Sequence, residues 1–169
     1  MTIGHSNRPV EELIAMLKAH GVQLVVDVRT VPRSGHNPQF NQEVLADVLA
    51  ESAIDYRHLP GLGGLRRPRP DSTNTGWRNP SFRGYADHMQ TAAFEEALEE
   101  LIRLDVERPA AILCAEAVPW RCHRSLIADA LVARGLAVFH LMSTQKRNAH
   151  EMTPFARVTA GRVDYPGLF

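Results

Sequence analysis

The sequence has few cysteines, almost no lysine, no net charge and no long apolar run. Two cysteines in 169 residues are too few for a disulfide scaffold. A formal net charge of zero excludes a global attraction to nucleic acid or membrane surfaces, so any such attraction must come from a local patch. The longest apolar runs are strand-sized and fall well short of the roughly twenty residues that span a bilayer.

These absences also predict where the protein works. No positively charged segment followed by an apolar stretch stands at the amino end, so no secretory signal is predicted. We therefore expect a cytoplasmic protein in a reducing environment, without membrane contact. With 169 residues, 44% of them hydrophobic, the chain can bury one core as a single domain.

The shortage of lysine leaves arginine as the main cation. Lys18 and Lys146 are the only lysines among 19 basic residues, and the rest are arginines. A GC-rich genome would produce this bias without any function. Alternatively, the guanidinium group is preferred because it binds phosphate or carboxylate through two parallel hydrogen bonds. Both interpretations stay open at this point.

Apolar periodicity predicts strands that alternate with helices. A helix that begins at Val10 ends before Gly21, and a second helix at 42–53 turns Val44, Val48 and Leu49 inward. Between 60 and 80 the periodicity is lost, which is typical of a long functional or mobile loop. Strands are predicted at 23–28, 54–59, 109–113 and 136–142. Further helices are predicted at 85–89, 94–102 and 125–134.

This alternation predicts a single α/β domain with a mostly parallel sheet and helices on both faces, a three-layer sandwich. Residues 1–142 form the predicted core, and 143–169 are an extension of the same domain without predicted structure. In parallel sheets the turns after the strands lie along one edge. We therefore expect segments 5–8, 27–33 and 114–124 to meet there.

The segment 114–124, Cys-Ala-Glu-Ala-Val-Pro-Trp-Arg-Cys-His-Arg, holds both cysteines of the chain. Cys122 stands before a predicted helix beside His123 and Arg124, and each of these features favours a thiolate. Cys122 is therefore a candidate nucleophile, with Cys114 as its partner. The alternative is that both cysteines are small apolar fillers of the core.

Acids at the ends of predicted strands are the candidates for proton transfer. Asp27 follows the apolar run of the strand at 23–28, and Glu116 follows the strand at 109–113. Together with His123 they would exchange protons with the substrate. The alternative is that these acids form ion pairs with nearby arginines that brace the turns.

Several motifs of the chain together resemble the bacterial family catalogued as domain of unknown function 488. The motifs are Thr-Ile-Gly-His-Ser-Asn-Arg at 2–8, Asp-Val-Arg at 27–29, the segment 56–64, Tyr-Ala-Asp-His-Met at 85–89, and Cys-Ala-Glu followed by Cys-His-Arg within 114–124. The resemblance spans residues 2–142 and implies the fold and a set of residues, but no reaction. The residues that we assign to anion or substrate binding are His5, Ser6, Asn7, Arg8, Arg29, Arg124, Gly63, Gly64 and Tyr85.

The irregular segment contains a local basic patch. Between 57 and 83 arginines outnumber acids and are interleaved with aromatic residues, a combination that neutralises phosphates and stacks on exposed bases. A solvated surface loop is the alternative. The nucleic-acid candidates are Arg66, Arg67, Arg69, Trp77, Arg78 and Arg83.

Three functional hypotheses follow. The leading one is an enzyme that acts on a phosphate-bearing substrate, a nucleotide or nucleic acid, with a cysteine and acid site at the carboxyl edge of the sheet. The second is a non-catalytic nucleic-acid-binding accessory domain that uses the loop 57–83. The third is a thiol redox protein, which requires the two sulfurs to approach closely. No metal or cofactor is predicted, and zinc or iron held by the cysteines and nearby histidines is an alternative.

Overall fold

Six strands form the central sheet of the protein, whose computed structural model describes residues 1–168. Their order is β3-β2-β4-β1-β5-β6, and only β6 runs antiparallel to its neighbour. The strands are β1 (Thr2–Gly4), β2 (Leu24–Asp27), β3 (Asp55–His58), β4 (Ala110–Cys114), β5 (Phe139–Leu141) and β6 (Arg147–Ala149). The helices are α1 (Val10–Ala19), α2 (Gln42–Glu51), α3 (Pro80–His88), α4 (Ala92–Glu107) and α5 (Arg124–Ala133).

The sheet is buried on both faces, which confirms the predicted α/β class. Along β2, Val26 packs on one face with side chains of α3, α4 and α5, while Val25 packs on the other with α1 and α2. Successive side chains of a strand point to opposite faces, so a near-continuous apolar run supplies both layers. Each buried aliphatic side chain contributes about 1.5–3 kcal/mol of transfer free energy.

The inward face of α2 differs from the predicted one. Leu45 and Leu49 are buried, whereas Val44 is 45% exposed. Val44 and Val48 share the same four-residue spacing as Leu45 and Leu49, displaced by one residue, so the sequence is compatible with either stripe. Packing against the sheet selects the leucine stripe.

The part of the chain after residue 142 contains regular structure that the sequence analysis did not predict. Besides β6, a two-stranded antiparallel hairpin forms from β7 (Arg157–Thr159) and β8 (Arg162–Asp164). Val163 and Tyr165 insert into the core cluster that also contains α5 side chains. Because β6 and β7 are exposed along their whole length, they carry no apolar alternation that could reveal them. None of the helices within residues 1–168 combines the length and apolar character needed to cross a membrane.

The carboxyl edge of the sheet brings three turns together. The His5 amide donates to the Cys114 carbonyl (2.9 Å), and the Val28 amide donates to the Leu113 carbonyl (3.0 Å). The turn after β1 leads to α1 on one face, and the turn after the adjacent β4 leads to α5 on the opposite face. The two turns stay in contact at the edge itself, where the Ser6 amide donates to the Ala115 carbonyl (2.9 Å).

Candidate functional site

A cavity of about 410 Å³ lies at this carboxyl edge. The turn after β2, the loop after β3, the beginning of α3 and the turn from β4 to α5 line it. Both cysteines are among the lining residues, together with Glu116 and His123. The cavity volume falls within the range of small-molecule sites, roughly 300–1,000 Å³. This cavity is the candidate site.

The two cysteines contact each other at the cavity wall. Cys114 ends β4, and Cys122 stands just before α5 after a short 3-10 helix, Pro119–Arg121, that turns the chain back. Their sulfur atoms are paired as a disulfide, and both residues are buried. The Cys122 amide donates to the Pro119 carbonyl (3.1 Å), which closes the turn. The close approach of the sulfurs that the redox hypothesis requires is therefore present.

The imidazole of His123 is oriented toward the sulfur of Cys122. Its Nε2 lies 2.8 Å from the carbonyl oxygen of Val28, and its Nδ1 lies 3.6 Å from Cys122 Sγ. A carbonyl can only accept, so Nε2 carries the hydrogen. Burial lowers the pKa of His123 to about 4, with the nearby Arg124 charge acting in the same direction. The ring is therefore neutral at pH 7, and Nδ1 presents a lone pair to the sulfur.

Three of the predicted substrate-binding residues surround this imidazole or its support. A Cβ at Gly64 would lie 3.1 Å from His123 Nδ1, and the Tyr85 ring lies 5.0 Å from the imidazole. The Tyr85 hydroxyl donates to the Leu62 carbonyl (2.7 Å), while Gly63 lies against Thr30. These contacts hold the ring in place. A direct role in substrate binding stays a prediction.

The rim of the cavity carries charges without protein partners. Arg33, Arg121 and Glu116 are exposed, and within residues 1–168 their side chains have no hydrogen-bond or ion-pair partner. Two apolar side chains, Val31 (58% exposed) and Leu65 (85% exposed), complete the mouth. Arg33 was not predicted, whereas Arg121 is one of the anion-holding candidates that the sequence pairs with Glu116. The position of Arg121 between the cysteines was a usable signal, whereas Arg33 had none.

Beneath the rim, Asp27 and Arg29 form a buried ion pair. Arg29 Nε and Nη2 donate to the two carboxylate oxygens of Asp27 (2.9 and 2.6 Å), and Nη2 also donates to the Phe40 carbonyl (2.8 Å). The Tyr56 hydroxyl donates to Asp27 Oδ2 (2.6 Å), and burial raises the pKa of Tyr56. Asp27 does not line the cavity, while Arg29 does. Their predicted roles in proton transfer and anion binding stay predictions.

His5 belongs to the same buried cluster. Its Nδ1 donates to the Ser6 carbonyl (2.8 Å), so its Nε2 accepts from Arg29 Nη1 (3.3 Å). Burial lowers the pKa of His5. Asn7 is exposed, and Arg8 pairs with Glu12 (2.6 Å) outside the cavity lining. The turn after β1 thus contributes structural contacts to the site.

Arg124 is fully buried behind the segment that joins Cys114 to Cys122, which we call the cysteine turn. Its Nη2 donates to the Glu116 carbonyl (2.7 Å), and its Nη1 donates to Thr2 Oγ1 (3.2 Å). Its backbone amide lies 3.5 Å from Cys122 Sγ. Burial lowers the pKa of Arg124 to about 10. The guanidinium is not part of the cavity lining, and the predicted anion contact stays untested.

The arginines of the irregular segment divide into two groups. Arg66, Arg69 and Arg83 donate to the Gly63 carbonyl (3.1 Å), the Gln90 side chain (3.1 Å) and the Trp77 carbonyl (3.0 Å) respectively. Arg67 and Arg78 are exposed, without a partner in the described part of the chain.

The tryptophan of this segment packs among other aromatic rings. The Trp77 ring stacks on Phe82 at 4.8 Å and meets the edge of Phe155 at 4.9 Å. Stacking on an exposed base requires a free ring face. The nucleic-acid role of the segment stays a prediction.

The alternative of a metal site finds no support in the geometry. Among residues 1–168, no group of three or more histidine, cysteine, aspartate and glutamate side chains is arranged to hold a metal ion.

Comparison with known proteins places the chain in a family. No curated protein and no solved structure matches it. The family model described as "Domain of unknown function DUF488" matches residues 9–131. This match covers more than half of the chain and contains the cysteine turn, His123 and the Asp27–Arg29 pair. The chain therefore belongs to the DUF488 family.

Proposed function

We propose that the protein catalyses thiol–disulfide exchange, with Cys114 and Cys122 alternating between a dithiol and a disulfide. The observation that carries this proposal is the pairing of the only two cysteines of the chain in a cavity. The lone pair of His123 Nδ1 stands beside one of them. A structural disulfide would need neither a cavity nor an imidazole of fixed tautomer.

Cys122 is the attacking thiol in this proposal. His123 Nδ1 accepts its proton, and the Arg124 amide at the beginning of α5 stabilises the sulfur anion. The thiolate attacks one sulfur of a substrate disulfide and releases the first substrate thiol. Cys114 then attacks Cys122 Sγ in the mixed disulfide and releases the second thiol. The substrate gains two electrons and two protons, which the cysteine pair loses, and an external dithiol restores the pair.

The protonation of His123 depends on the redox state of the pair. Beside a disulfide the imidazole faces a neutral sulfur, and its pKa is about 4. Beside a thiolate the imidazolium is favoured, so the proton that Cys122 loses on attack is held by the adjacent imidazole. This proton transfer supports attack by Cys122 near neutral pH.

The charges at the rim of the cavity support a proposal for the substrate class. Two unpartnered guanidinium groups and one unpartnered carboxylate suit a ligand that carries carboxylates and an ammonium group. The exposed side chains of Val31 and Leu65 would cover its aliphatic part. A small peptide-like disulfide has this chemistry. Glutathione disulfide is a suitable probe.

A second candidate is nucleophilic transfer to Cys122 from a phosphate-bearing substrate, a nucleotide or nucleic acid. The unpartnered Arg33 and Arg121 favour it, because guanidinium groups bind phosphate well. It uses the same Cys122–His123 pair but does not need Cys114. The two candidates therefore differ in their response to the loss of Cys114.

The test compares Cys114→Ser and Cys122→Ser with the wild type in the reduction of glutathione disulfide. We expect both variants to lose turnover. Cys114→Ser should accumulate a mixed disulfide at Cys122, visible by intact mass spectrometry. Alkylation of Cys122 should proceed well below the unperturbed thiol pKa of roughly 8.5. A wild type that never forms the internal disulfide would refute the exchange reaction. A Cys114→Ser variant that turns over a phosphate-bearing substrate would establish the second candidate.

A further inference from the structure

A second group of polar side chains lies on the other side of the cysteine turn. Thr2 Oγ1 is 2.6 Å from His140 Nδ1, His140 Nε2 is 2.9 Å from His150 Nδ1, and His150 Nε2 is 2.7 Å from Asp129 Oδ1. We call these four residues the histidine relay. Thr2 and Asp129 are fully buried, and the two histidines line a second cavity of about 850 Å³. None of these four residues lines the candidate site.

The hydrogen bonds of the relay all point the same way. Asp129 accepts from the Thr153 amide (3.0 Å) and the Tyr165 hydroxyl (2.7 Å), and it accepts from His150 Nε2–H as well. In a neutral His150, Nδ1 accepts from His140 Nε2–H. His140 Nδ1 then accepts the hydroxyl proton of Thr2, whose oxygen in turn accepts from Arg124 Nη1.

The opposite direction would leave a buried group unsatisfied. If His150 carried two protons, His140 would donate to Thr2 Oγ1, which already accepts from Arg124. The Thr2 hydroxyl proton would then have no acceptor among these contacts, although Thr2 is fully buried. Buried polar groups are almost always hydrogen-bonded. The neutral relay is therefore the consistent arrangement.

Neither imidazole of the relay has a free nitrogen for a ligand, and the relay ends at Thr2, which contacts Arg124. All four imidazole nitrogens are engaged within the relay, so neither histidine can serve as a base in the second cavity. Arg124 is held at Nη1 by Thr2 and at Nη2 by the carbonyls of Glu116 (2.7 Å) and Ala117 (3.4 Å). Its buried Nε has no partner in the described chain. The position of this guanidinium thus depends on the contact of Nη1 with Thr2 and on the contacts of Nη2 with the two carbonyls.

We propose that Thr2, Asp129, His140 and His150 are positioning residues for the cysteine turn. The relay fixes Arg124, and Arg124 holds the carbonyls of the turn that carries Glu116 to the rim and brings Cys122 to Cys114. This inference rests on the proposed exchange reaction. Positioning residues of this kind alter reactivity without contact with the substrate, because a displacement of about 1 Å can change a rate as much as a hundredfold.

The direction of the relay is tested by ¹⁵N NMR of the imidazoles in the intact protein at pH 7. We expect both His140 and His150 to be neutral, with the hydrogen on Nε2. A doubly protonated His150, or a hydrogen on Nδ1 of either ring, would overturn the arrangement. This measurement does not depend on any activity.

The positioning role is tested by the reactivity of Cys122 and the midpoint potential of the cysteine pair. His150→Gln keeps one donor and one acceptor and should behave as the wild type. His150→Leu interrupts the relay and should slow alkylation of Cys122 about tenfold and shift the potential of the pair. Tyr165→Phe is the matched control, because it removes another hydrogen bond to Asp129 and leaves the relay intact.

Thr2→Val provides a second interruption if His150→Leu does not fold, since it separates His140 from Arg124 and keeps the rest of the relay. Equal reactivity and potential in the interrupted variants and in Tyr165→Phe would refute the positioning role. A wild type without a dithiol–disulfide cycle would instead refute the exchange reaction. In that case the alkylation rate and the tautomers still test the relay.

Discussion

The buried Asp27–Arg29 pair and the rim of the cavity lie at the same edge of the sheet but differ in whether their charged side chains have protein partners. In the buried pair, Arg29 contacts both carboxylate oxygens of Asp27, and Tyr56 adds a further donor. At the rim, Arg33 and Arg121 have no partner within residues 1–168. The chain thus contains arginines whose donors are used by the fold and others whose donors are free.

This difference separates stability from ligand binding. A buried charge must be paired, because removal of its partner leaves an uncompensated ion in a medium of low dielectric constant. An exposed charge without a partner contributes little to stability, since water already solvates it. Substitutions in the buried Asp27–Arg29 pair should therefore lower the free energy of unfolding. Substitutions of the rim arginines should instead lower the affinity for the substrate.

The largest effect is expected for Asp27→Ala. The substitution leaves the Arg29 guanidinium buried without its carboxylate and removes the acceptor of the Tyr56 hydroxyl. We expect the free energy of unfolding in urea to fall by about 3–5 kcal/mol. Arg33→Ala, at the same edge, is the control. Similar losses in the two variants would break the distinction between the two groups.

An intermediate effect is expected on acidification. The pKa of His123 is about 4 in the folded protein and 6.5 without the fold's influence, so the unfolded chain binds an extra proton between these values. The contribution of His123 to stability is complete above about pH 6.5 and falls by up to about 3 kcal/mol as the pH drops to 4. Urea unfolding of the disulfide form across this range measures the slope. His123→Asn should reduce the slope without abolishing it, because burial also lowers the pKa of His140, to about 3. An unchanged slope would contradict the assignment.

The smallest effect on stability is expected at the rim. Arg33→Ala and Arg121→Ala should change the free energy of unfolding by no more than about 0.5 kcal/mol. Each should raise the KM for glutathione disulfide roughly tenfold with little change in kcat, because the lost contact binds substrate and transition state alike. Arg67→Ala, an exposed arginine outside the cavity, should leave KM unchanged. An unchanged KM in both rim variants would exclude the rim from the substrate site.

The strongly periodic elements followed from local physics. The helix α1 begins at Val10 as predicted and ends before Gly21, which adopts a positive φ of 71°. The β-branched run of β2 contains residues for both faces of the sheet and needs no partner to be identified. By contrast, β6 and the β7–β8 hairpin are short and largely exposed, so their pairing depends on strands far away in the sequence.

At the candidate site, too, contacts between residues distant in the sequence could not be predicted. The sequence indicates Cys114, Glu116, Cys122 and His123, because these chemically distinctive residues cluster within one turn, and all four line the cavity. It cannot distinguish among seventeen arginines, since residue type alone does not say which guanidinium finds a partner.

The sequence alone predicts the α/β class, the order of the regular elements up to residue 142 and the turn that carries both cysteines. These features depend on short-range periodicity and on residue type. Long-range packing, by contrast, buries Arg29 and Arg124, leaves Arg33 and Arg121 without a partner within residues 1–168, and joins Thr2, His140, His150 and Asp129 into one relay. These outcomes depend on the sheet order β3-β2-β4-β1-β5-β6, which places distant segments side by side. No local pattern encodes that proximity.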